Sequence, residues 1–580
     1  MSKGTPIKDP FDPERSTVPA KIRARNQLIR DAEALYGHEP DEADREILNT
    51  DPATLVDRLK RGEGGFTCQR VMQAYIRAAC AVQRTHNCLT EVMFQEAMAE
   101  AKRKDAERES GAACEGPFWG LPSSFKDTFN VVGVDTSLGC SPHCDKPTKD
   151  PRDEGELVKL FRLGGGIPFC KTNIPQTLLA FECSNPVFGP ALHPTDPARA
   201  PGGSSGGEAA LVALKATPVG WGSDIGGSLR IPAHYSGICG LKPVKGRWPS
   251  AMGRKPIPGF EAVRVSVGPM ARNVSDLTWA AKVITDLTTQ SGNRGEESLV
   301  PVPWREVTLP KVLRVGWFTE FGGVKTSPAC ARAVKVVVDS MKAAGHQVEE
   351  FHPPEPVQAL KIFAALTSSD GYQTLLSNIG SDPMEPSMRL VTLGPKIPSL
   401  IKALAVWAIK TVVGDETFAS AFETSKRKDV RQFWEWTDRR DVWAETFNRM
   451  AWAENKYDMI VCPVQATPAL KHGETEFLSP LSLSTIMYNI CDSTVGVLPV
   501  VRVDKEQDAV SSASGTNESG SKDLPRSKLL EKRVYHPETG VYDEQAMHGL
   551  PVGVQIVGRA YEEEKVLAMM KIVEELVKYE

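Results

Sequence analysis

The chain has 580 residues, with 69 Lys and Arg against 73 Asp and Glu, and 41% of its residues are hydrophobic. This composition is typical of globular proteins, so it excludes disordered, collagen-like and repeat-fibre classes. The formal net charge of −4 provides no positive footprint for nucleic acid, and no nucleic-acid partner is expected.

Residues 1–110 are predicted to be a helical N-terminal lead-in. Apolar residues recur there at spacings of three and four, the period of an amphipathic helix. The predicted helices are Lys21–Tyr36, Ala53–Arg61, Cys68–Gln83 and Thr90–Glu109. The polar, proline-containing start has no apolar core of the kind found in secretory signals, so an intracellular, cytoplasmic location is expected.

From Leu121 onward, short apolar runs alternate with amphipathic segments. This alternation predicts an α/β sheet enclosed by helices. The predicted helices are Leu157–Leu163, Glu208–Lys215, Ser275–Leu287, Pro328–Ala344 and Glu562–Tyr579. The predicted strands are Ile167–Lys171, Thr217–Trp221, Leu313–Phe318, Met459–Cys462 and Val552–Val557.

Residues 396–414 (KIPSLIKALAVWAIKTVVG) form an apolar segment that Lys402 and Lys410 interrupt, so a membrane-spanning helix is not expected. On a helix, one face collects Ile397, Leu400, Ile401, Leu404, Trp407 and Val412. This layout favours an amphipathic helix that faces a membrane peripherally. The alternative is a surface helix that turns this face to the core and leaves both lysines in solvent.

Two other features are interpreted without catalytic chemistry. Residues 504–528 are rich in Ser, Gly and charge, which predicts a mobile surface insertion. The twelve cysteines are spread singly and are expected to be reduced. Cys140, His143 and Cys144 lie close in sequence but lack a second ligand pair at zinc spacing, so no metal site is predicted.

Glycine is concentrated between Pro201 and Gly246, where eleven of the 47 glycines fall. Backbone that turns tightly or approaches another group closely needs glycine. Residues 202–206 (GGSSG) match the G-x-S-x-G nucleophile elbow, which requires a hydrophobic strand before the serine. The preceding residues 193–201 contain three prolines and cannot form a central strand, so this interpretation is rejected.

Ser228 is a better candidate nucleophile. A strand-like segment leads to Gly226 and Gly227, and two successive glycines let backbone N–H groups converge beside the serine hydroxyl. A developing oxyanion requires such a nest. The alternative is that these glycines only permit a close helix–strand crossing.

A nucleophilic serine needs a base, and none of the ten histidines can be paired with Ser228 from sequence. Lys126 ends an apolar strand-like run that begins at Leu121. If it is buried, its pKa falls from about 10.4 toward neutrality and the amine becomes a base. The alternative is a salt bridge from Lys126 to Asp127 or another acid.

Three motifs in this order resemble the amidase signature family of serine hydrolases. They are LPSSFKD at 121–127, PGGSSGGE at 201–208 and GSDIGGSLRIPA at 222–233. The likeness is close over residues 120–273, and stretches such as PFCKTNIPQ at 168–176 resemble the fatty-acid amide hydrolase and fungal amidase branch. The resemblance implies a single large α/β domain over residues 111–580, with the amidase signature fold and a central mixed β-sheet surrounded by helices.

The resemblance also implies roles for individual residues. Ser228 is the expected nucleophile, Ser204 the bridging serine after a cis peptide, and Lys126 the base. The implied oxyanion hole consists of the backbone N–H groups of Ile225, Gly226, Gly227 and Ser228. The expected supporting residues are Ser205, Asp224 and Arg230, and the expected acyl-channel residues are Leu178 and Leu179. No cofactor or metal is implied.

We therefore expect a serine hydrolase that cleaves N-acyl or fatty-acid amides, and perhaps-related esters as well, through an acyl-enzyme. One alternative is an acetamidase-type enzyme for small amides. Another is a tRNA-dependent amidotransferase subunit, although residues 263–269 (VRVSVGP) lack the Asp and Gln typical of that branch. A third is a binding homologue without catalysis. The expected partners are a small-molecule amide, a membrane surface and a second copy in a homodimer.

Overall fold

The computed structural model describes residues 12–291, 299–510 and 524–579. In these residues the strands are β1 Leu89–Val92, β2 Pro122–Lys126, β3 Ile167–Thr172, β4 Gly220–Asp224, β5 Cys239–Lys242, β6 Ser266–Ala271, β7 Arg314–Trp317, β8 Gln347–Glu350, β9 Met459–Pro463, β10 Thr494–Arg502 and β11 Pro551–Gly558.

The α-helices enclose these strands. They are α1 Pro19–Tyr36, α2 Glu42–Asn49, α3 Pro52–Arg61, α4 Cys68–His86, α5 Phe94–Glu109, α6 Glu156–Leu163, α7 Gly206–Ala213, α8 Arg230–Ser236, α9 Val274–Ser291, α10 Pro328–Ala343, α11 Pro356–Thr367, α12 Gln373–Ser377, α13 Pro386–Leu393, α14 Ser399–Ala408, α15 Glu416–Thr424, α16 Val430–Asn448, α17 Leu483–Ile490, α18 Lys528–Tyr535, α19 Glu544–Met547 and α20 Glu563–Val577.

All these strands join one mixed sheet, in the order β1-β3-β2-β4-β6-β5-β10-β11-β9-β7-β8. β2 runs parallel to β3 and β4, and β7 runs parallel to β8 and β9, whereas the pairs from β4 through β6, β5, β10 and β11 to β9 are antiparallel. The predicted α/β class, a mixed sheet within helices in one domain, is confirmed.

The parallel pair β2 and β4 positions the residues of interest. Phe125 lies opposite Trp221 in the register, and their rings stack with centroids 6.4 Å apart, in an aromatic core that includes Phe161. Parallel strands end at the same edge of a sheet, and ligands bind beyond their carboxyl ends. Lys126 and Asp224, the last residues of β2 and β4, therefore lie at one edge.

Three of the four helices predicted in the N-terminal region agree with the structure, but the fourth begins later than expected. Leu89–Val92 forms β1, which pairs antiparallel with β3 before α5 begins at Phe94. Asn87 ends α4 in a left-handed conformation, which lets the chain leave the helix and enter the sheet. A short apolar run fits either period, so pattern alone could not separate the two elements.

The strand predicted at 217–221 is also shifted. The observed β4 starts at Gly220, because the Thr217 hydroxyl donates to the Val219 carbonyl in a local turn and accepts from the N–H of Ser124. Side-chain bonds of this kind compete with strand pairing. The shift carries β4 through Asp224 and directly into the glycine-containing turn that precedes Ser228.

The low-complexity segment lies partly outside the described residues, which omit 511–523. Before that gap, Asp508 is fully buried and forms an ion pair of 2.7 Å with Arg332 of α10. After it, the Ser527 hydroxyl donates to Asp415 at 2.7 Å and caps α18. Both flanks of the predicted insertion are therefore held against the domain.

The amphipathic segment at 396–414 contains α14, followed by a π-helical turn at Ile409–Val413. Its apolar face is exposed, with Leu400 at 85%, Leu404 at 64% and Trp407 at 57%. Lys402 is instead buried and donates to the Ser425 carbonyl. The alternative with a core-facing apolar face and two solvated lysines is therefore wrong. None of the helices in the described part of the chain has the length and hydrophobicity needed to cross a membrane.

Candidate active site

The amine of Lys126 is buried at the end of β2. Its Nζ lies 2.7 Å from the Ser204 hydroxyl, and 3.0 and 3.3 Å from the hydroxyl and carbonyl oxygens of Ser223. The expected alternative, an ion pair with Asp127, is wrong because Asp127 pairs with Lys171 at 2.6 Å. Among the described residues, no carboxylate lies within ion-pair distance of Lys126.

Burial lowers the pKa of Lys126 to about 7, against the opposing effect of the negative charge on Asp224. A large fraction of this amine is therefore neutral at physiological pH and is able to accept a proton. Burial also raises the pKa of nearby Glu208 to about 8, although Ser124 and Thr172 donate hydrogen bonds to its carboxyl. A largely neutral Glu208 does little to hold a charge on Lys126.

The two motif serines enter the site from different elements. Ser204 follows a cis peptide from Gly203, as the family resemblance implied, and Ser228 follows β4. The N–H of Ser205 donates to the Ser228 carbonyl at 3.1 Å, which ties the two segments together. Within the described residues, no hydrogen bond joins the Ser204 and Ser228 hydroxyls, although both side chains line the same cavity.

The turn before Ser228 differs in one detail from the oxyanion hole expected from sequence. The N–H of Gly227 donates to Asp224 Oδ1 at 2.9 Å, so this group is already engaged. The N–H groups of Ile225, Gly226 and Ser228 have no partner among the described residues. Gly227 has φ +124°, a conformation that favours glycine, and a Cβ there would lie 2.4 Å from Thr485 Oγ1.

Asp224 and Arg230 hold this turn from both sides. Arg230 donates to the two carboxylate oxygens at 2.9 and 3.0 Å, and both side chains are fully buried. Burial alone would raise the pKa of Asp224, but the Arg230 charge and its hydrogen bonds hold that pKa well below its usual range. Asn489 donates to Asp224, while Gln555 accepts from Arg230 at 2.8 Å. The turn therefore has a satisfied buried network behind it.

Two chambers meet at Ser228. The apolar chamber carries no charged side chain among its described lining residues, which include Phe181, Ile231, Leu360, Phe363, Phe418 and Ile486. The second chamber is more polar, and its lining includes Ser204, Ser223, Lys245, Arg254, Lys255 and Glu261. Leu178 and Leu179 line both chambers, so the two residues predicted for the acyl channel lie at the junction.

Sequence reasoning missed several residues of this site. Ser223 precedes Asp224 in the same motif, and its contact with Lys126 follows only once β2 and β4 are known to be neighbours. Asn489 and Gln555 come from distant α17 and β11, and nothing near them in sequence signals a role. The close packing predicted as an alternative also occurs, since a Cβ on Gly207 would lie 2.5 Å from the Asn173 backbone.

A buried lysine beside a serine, with a glycine turn and two substrate-sized chambers, defines a hydrolase of the amidase signature type. A protein-family model described as Amidase matches residues 70–567. The chain is 30% identical over 539 residues to fatty acid amide hydrolase 1 of Caenorhabditis elegans, which covers 91% of this chain and 88% of that protein.

Two further comparisons agree. An acetamidase of Emericella nidulans is 30% identical over 546 residues, covering 92% of this chain and 90% of that protein. A solved structure of a fatty acid amide hydrolase superposes with a TM-score of 0.79 at 25% identity, covering 98% of this chain and 91% of the other. The chain therefore belongs to the amidase family and is an amide-hydrolysing enzyme. The resemblance inferred from the motifs is confirmed.

Proposed function

We propose that this enzyme is a serine amidase that hydrolyses N-acyl or fatty-acid amides through an acyl-enzyme on Ser228. The observation that carries the proposal is the buried amine of Lys126, 2.7 Å from Ser204 and without a carboxylate partner among the described residues. A neutral amine in this position is a base for a serine relay. Ser204 is the relay between Lys126 and the nucleophile.

In the first step, Lys126 takes the Ser204 proton while Ser204 takes the proton of Ser228. The Ser228 oxygen attacks the amide carbonyl and forms a tetrahedral intermediate. Its negative oxygen is stabilised by the N–H groups of Ile225, Gly226 and Ser228, which have no partner among the described residues. The Gly227 N–H instead bonds to Asp224 and fixes the turn.

In the second step, the proton returns through Ser204 to the amide nitrogen, and the C–N bond breaks. An amine is a poor leaving group unless it is protonated, so this return is as important as the initial activation. Water then attacks the ester of Ser228, using Lys126 and Ser204 as the base again. The products are a carboxylic acid and an amine or ammonia.

The apolar chamber supports an acyl group of some length. Its aliphatic and aromatic lining adjoins Ser228, and burial of each CH₂ group there gains about 0.8 kcal/mol. A two-carbon acyl group would leave most of this surface without contact. Similarity to an acetamidase keeps small-amide hydrolysis as the alternative.

A series of primary amides with acyl groups from two to twenty carbons tests this proposal. We expect kcat/KM to rise with chain length up to the capacity of the chamber. A maximum at two carbons would favour the acetamidase alternative. The Ser228→Ala protein provides the control, and the proposal requires it to be inactive on every member of the series.

We also propose that the exposed apolar face of α14, formed by Leu400, Ile401, Leu404, Trp407 and Val412, contacts a membrane surface. A helix with a wide exposed apolar face binds at the interface between lipid and water. α14 packs on α15, whose Phe418 and Phe422 line the apolar chamber. A substrate that leaves the lipid at α14 is thus separated from the chamber by a single helix.

A further inference from the structure

The second chamber is rich in positive charge. Its lining includes Lys245, Arg254 and Lys255 but, within the described chain, only the carboxylate of Glu261. Glu261 forms an ion pair with Lys245. The charges left over in the chamber are therefore those of Arg254 and Lys255.

Arg254 is fixed to the catalytic edge of the sheet. Its backbone N–H donates to the Thr128 carbonyl at 2.9 Å, and its own carbonyl accepts from the Thr128 hydroxyl at 2.8 Å. Thr128 lies two residues after Lys126 in the chain. The position of Arg254 is thus tied directly to the strand that carries the proposed base.

The guanidinium is held in place by a neutral histidine. Arg254 Nη1 donates to His143 Nδ1 at 2.9 Å, and His143 Nε2 is 2.9 Å from Asn378 Oδ1. Burial, together with the charge of Arg254, lowers the pKa of His143, so the ring is neutral. The hydrogen bonds fit the tautomer that accepts at Nδ1 and donates at Nε2. Asn378 in turn donates to the Pro256 carbonyl at 2.9 Å, which braces the loop that bears Arg254.

This arrangement orients Arg254 without neutralising it. No carboxylate pairs with its guanidinium among the described residues, and its Nε is buried there without a hydrogen-bond partner. Donors on a charged, partly buried guanidinium favour an anion in the adjoining space. The planar fork of arginine suits a carboxylate, which it binds through two parallel hydrogen bonds.

The mechanism determines which part of the substrate occupies this chamber. Ser204 must hand a proton to the departing amine, and Ser204 lines the second chamber but is absent from the apolar one. The amine portion therefore lies in the second chamber with Arg254, while the acyl portion lies in the apolar chamber.

We infer that Arg254 binds a carboxylate on the amine portion of the substrate, so that the preferred substrates are N-acyl amino acids. The inference rests on the proposed function and adds the identity of the leaving amine to it. Hydrolysis breaks the bond between the acyl carbon and the amino-acid nitrogen, adds water across it, and releases a fatty acid and a free amino acid.

The test compares N-dodecanoylglycine with N-dodecanoylglycinamide, which differ only in the charged group. We expect the wild-type enzyme to have the higher kcat/KM for the glycine conjugate. In Arg254→Gln the ratio of the two kcat/KM values should fall by about tenfold or more, the usual cost of losing hydrogen bonds to a charged group. Arg254→Lys should keep part of the ratio because the positive charge remains.

Arg23→Gln is the matched control, since it removes one positive charge from an exposed pair on the N-terminal helix. Its ratio should equal that of the wild type. Equal kcat/KM values for both amides in the wild type, or an unchanged ratio in Arg254→Gln, would overturn the inference while leaving the proposed function intact.

A binding measurement separates the two failures. If neither amide is hydrolysed, the proposed function fails, and the dissociation constants of both amides are then measured with the Ser228→Ala protein. Tighter binding of the glycine conjugate, lost in Ser228→Ala/Arg254→Gln, supports carboxylate recognition by Arg254. Equal dissociation constants overturn it.

Discussion

The carboxylate of Asp224 and the guanidinium of Arg230 form a fully buried, doubly hydrogen-bonded pair that encloses the turn leading to Ser228. Asp224 also accepts from the N–H groups of Gly227 and Leu229 at 2.9 and 3.0 Å. One side chain thereby holds the turn on both sides of the nucleophile. The pair fixes the backbone that surrounds the proposed oxyanion.

Replacement of Asp224 by Asn should destabilise the whole domain. Removal of one partner leaves the buried charge of Arg230 uncompensated, which costs about 3 to 5 kcal/mol. Urea unfolding measures this loss as a lower midpoint. Asp150→Asn is the control, because Asp150 pairs with Arg152 at the surface and its loss should leave the midpoint unchanged. Equal midpoints for the two variants would show that the buried pair does not support the fold.

Gly227→Ala should abolish most of the activity. The added Cβ would meet Thr485 Oγ1 at 2.4 Å, so the turn must move and the N–H groups beside Ser228 move with it. Loss of one oxyanion donor already costs about 10²- to 10³-fold in kcat. Gly549→Ala tests backbone strain alone, since Gly549 has φ +84° but open space around a Cβ. Comparable kcat values for the two variants would contradict the role given to this turn.

The activity should rise with pH through about 7, the pKa to which burial lowers Lys126. The neutral amine is the active form, so kcat/KM should fall by about tenfold for each pH unit well below this value and level off above it. Circular dichroism over the same range checks that the protein stays folded. A midpoint near 10, the ordinary range of lysine, would mean that Lys126 is not the base.

Membrane binding should depend on α14. In liposome flotation, the wild type should rise with the vesicles, and the double variant Leu404→Glu/Trp407→Glu should remain in the dense fraction. Leu35→Glu/Leu163→Glu alters two other exposed leucines and should float like the wild type. No flotation of the wild type, or equal flotation of all three proteins, would remove the membrane proposal. A change in oligomeric state confined to the α14 variant would assign the face to a second copy.

Local sequence was sufficient to find the catalytic edge but not its surroundings. Lys126 and Ser228 stand out because a charged or polar residue ends an apolar run beside a glycine turn. The contact of Lys126 with Ser223 requires the pairing of β2 with β4, which short-range patterns do not encode. Arg254 lies in a loop without periodicity, and its free guanidinium is evident only from the absence of an acid around it in the described structure.

The amphipathic helix illustrates a second limit. Its period correctly grouped the apolar residues on one face, but a moment does not say which face meets solvent. Lys402 is buried because its ammonium reaches the Ser425 carbonyl and lies 5.0 Å from the centroid of the Phe422 ring. These partners lie in or just after α15, a separate element, so helix periodicity could not predict the inward lysine.

The central claim is that Ser228 is the nucleophile, and covalent labelling with a fluorophosphonate probe tests it most directly. Mass spectrometry of the digested protein should locate a single adduct on the peptide that contains Ser228. Ser204→Ala should be labelled more slowly at the same residue, and Ser228→Ala should not be labelled. Labelling of Ser228→Ala at the wild-type rate would contradict the account.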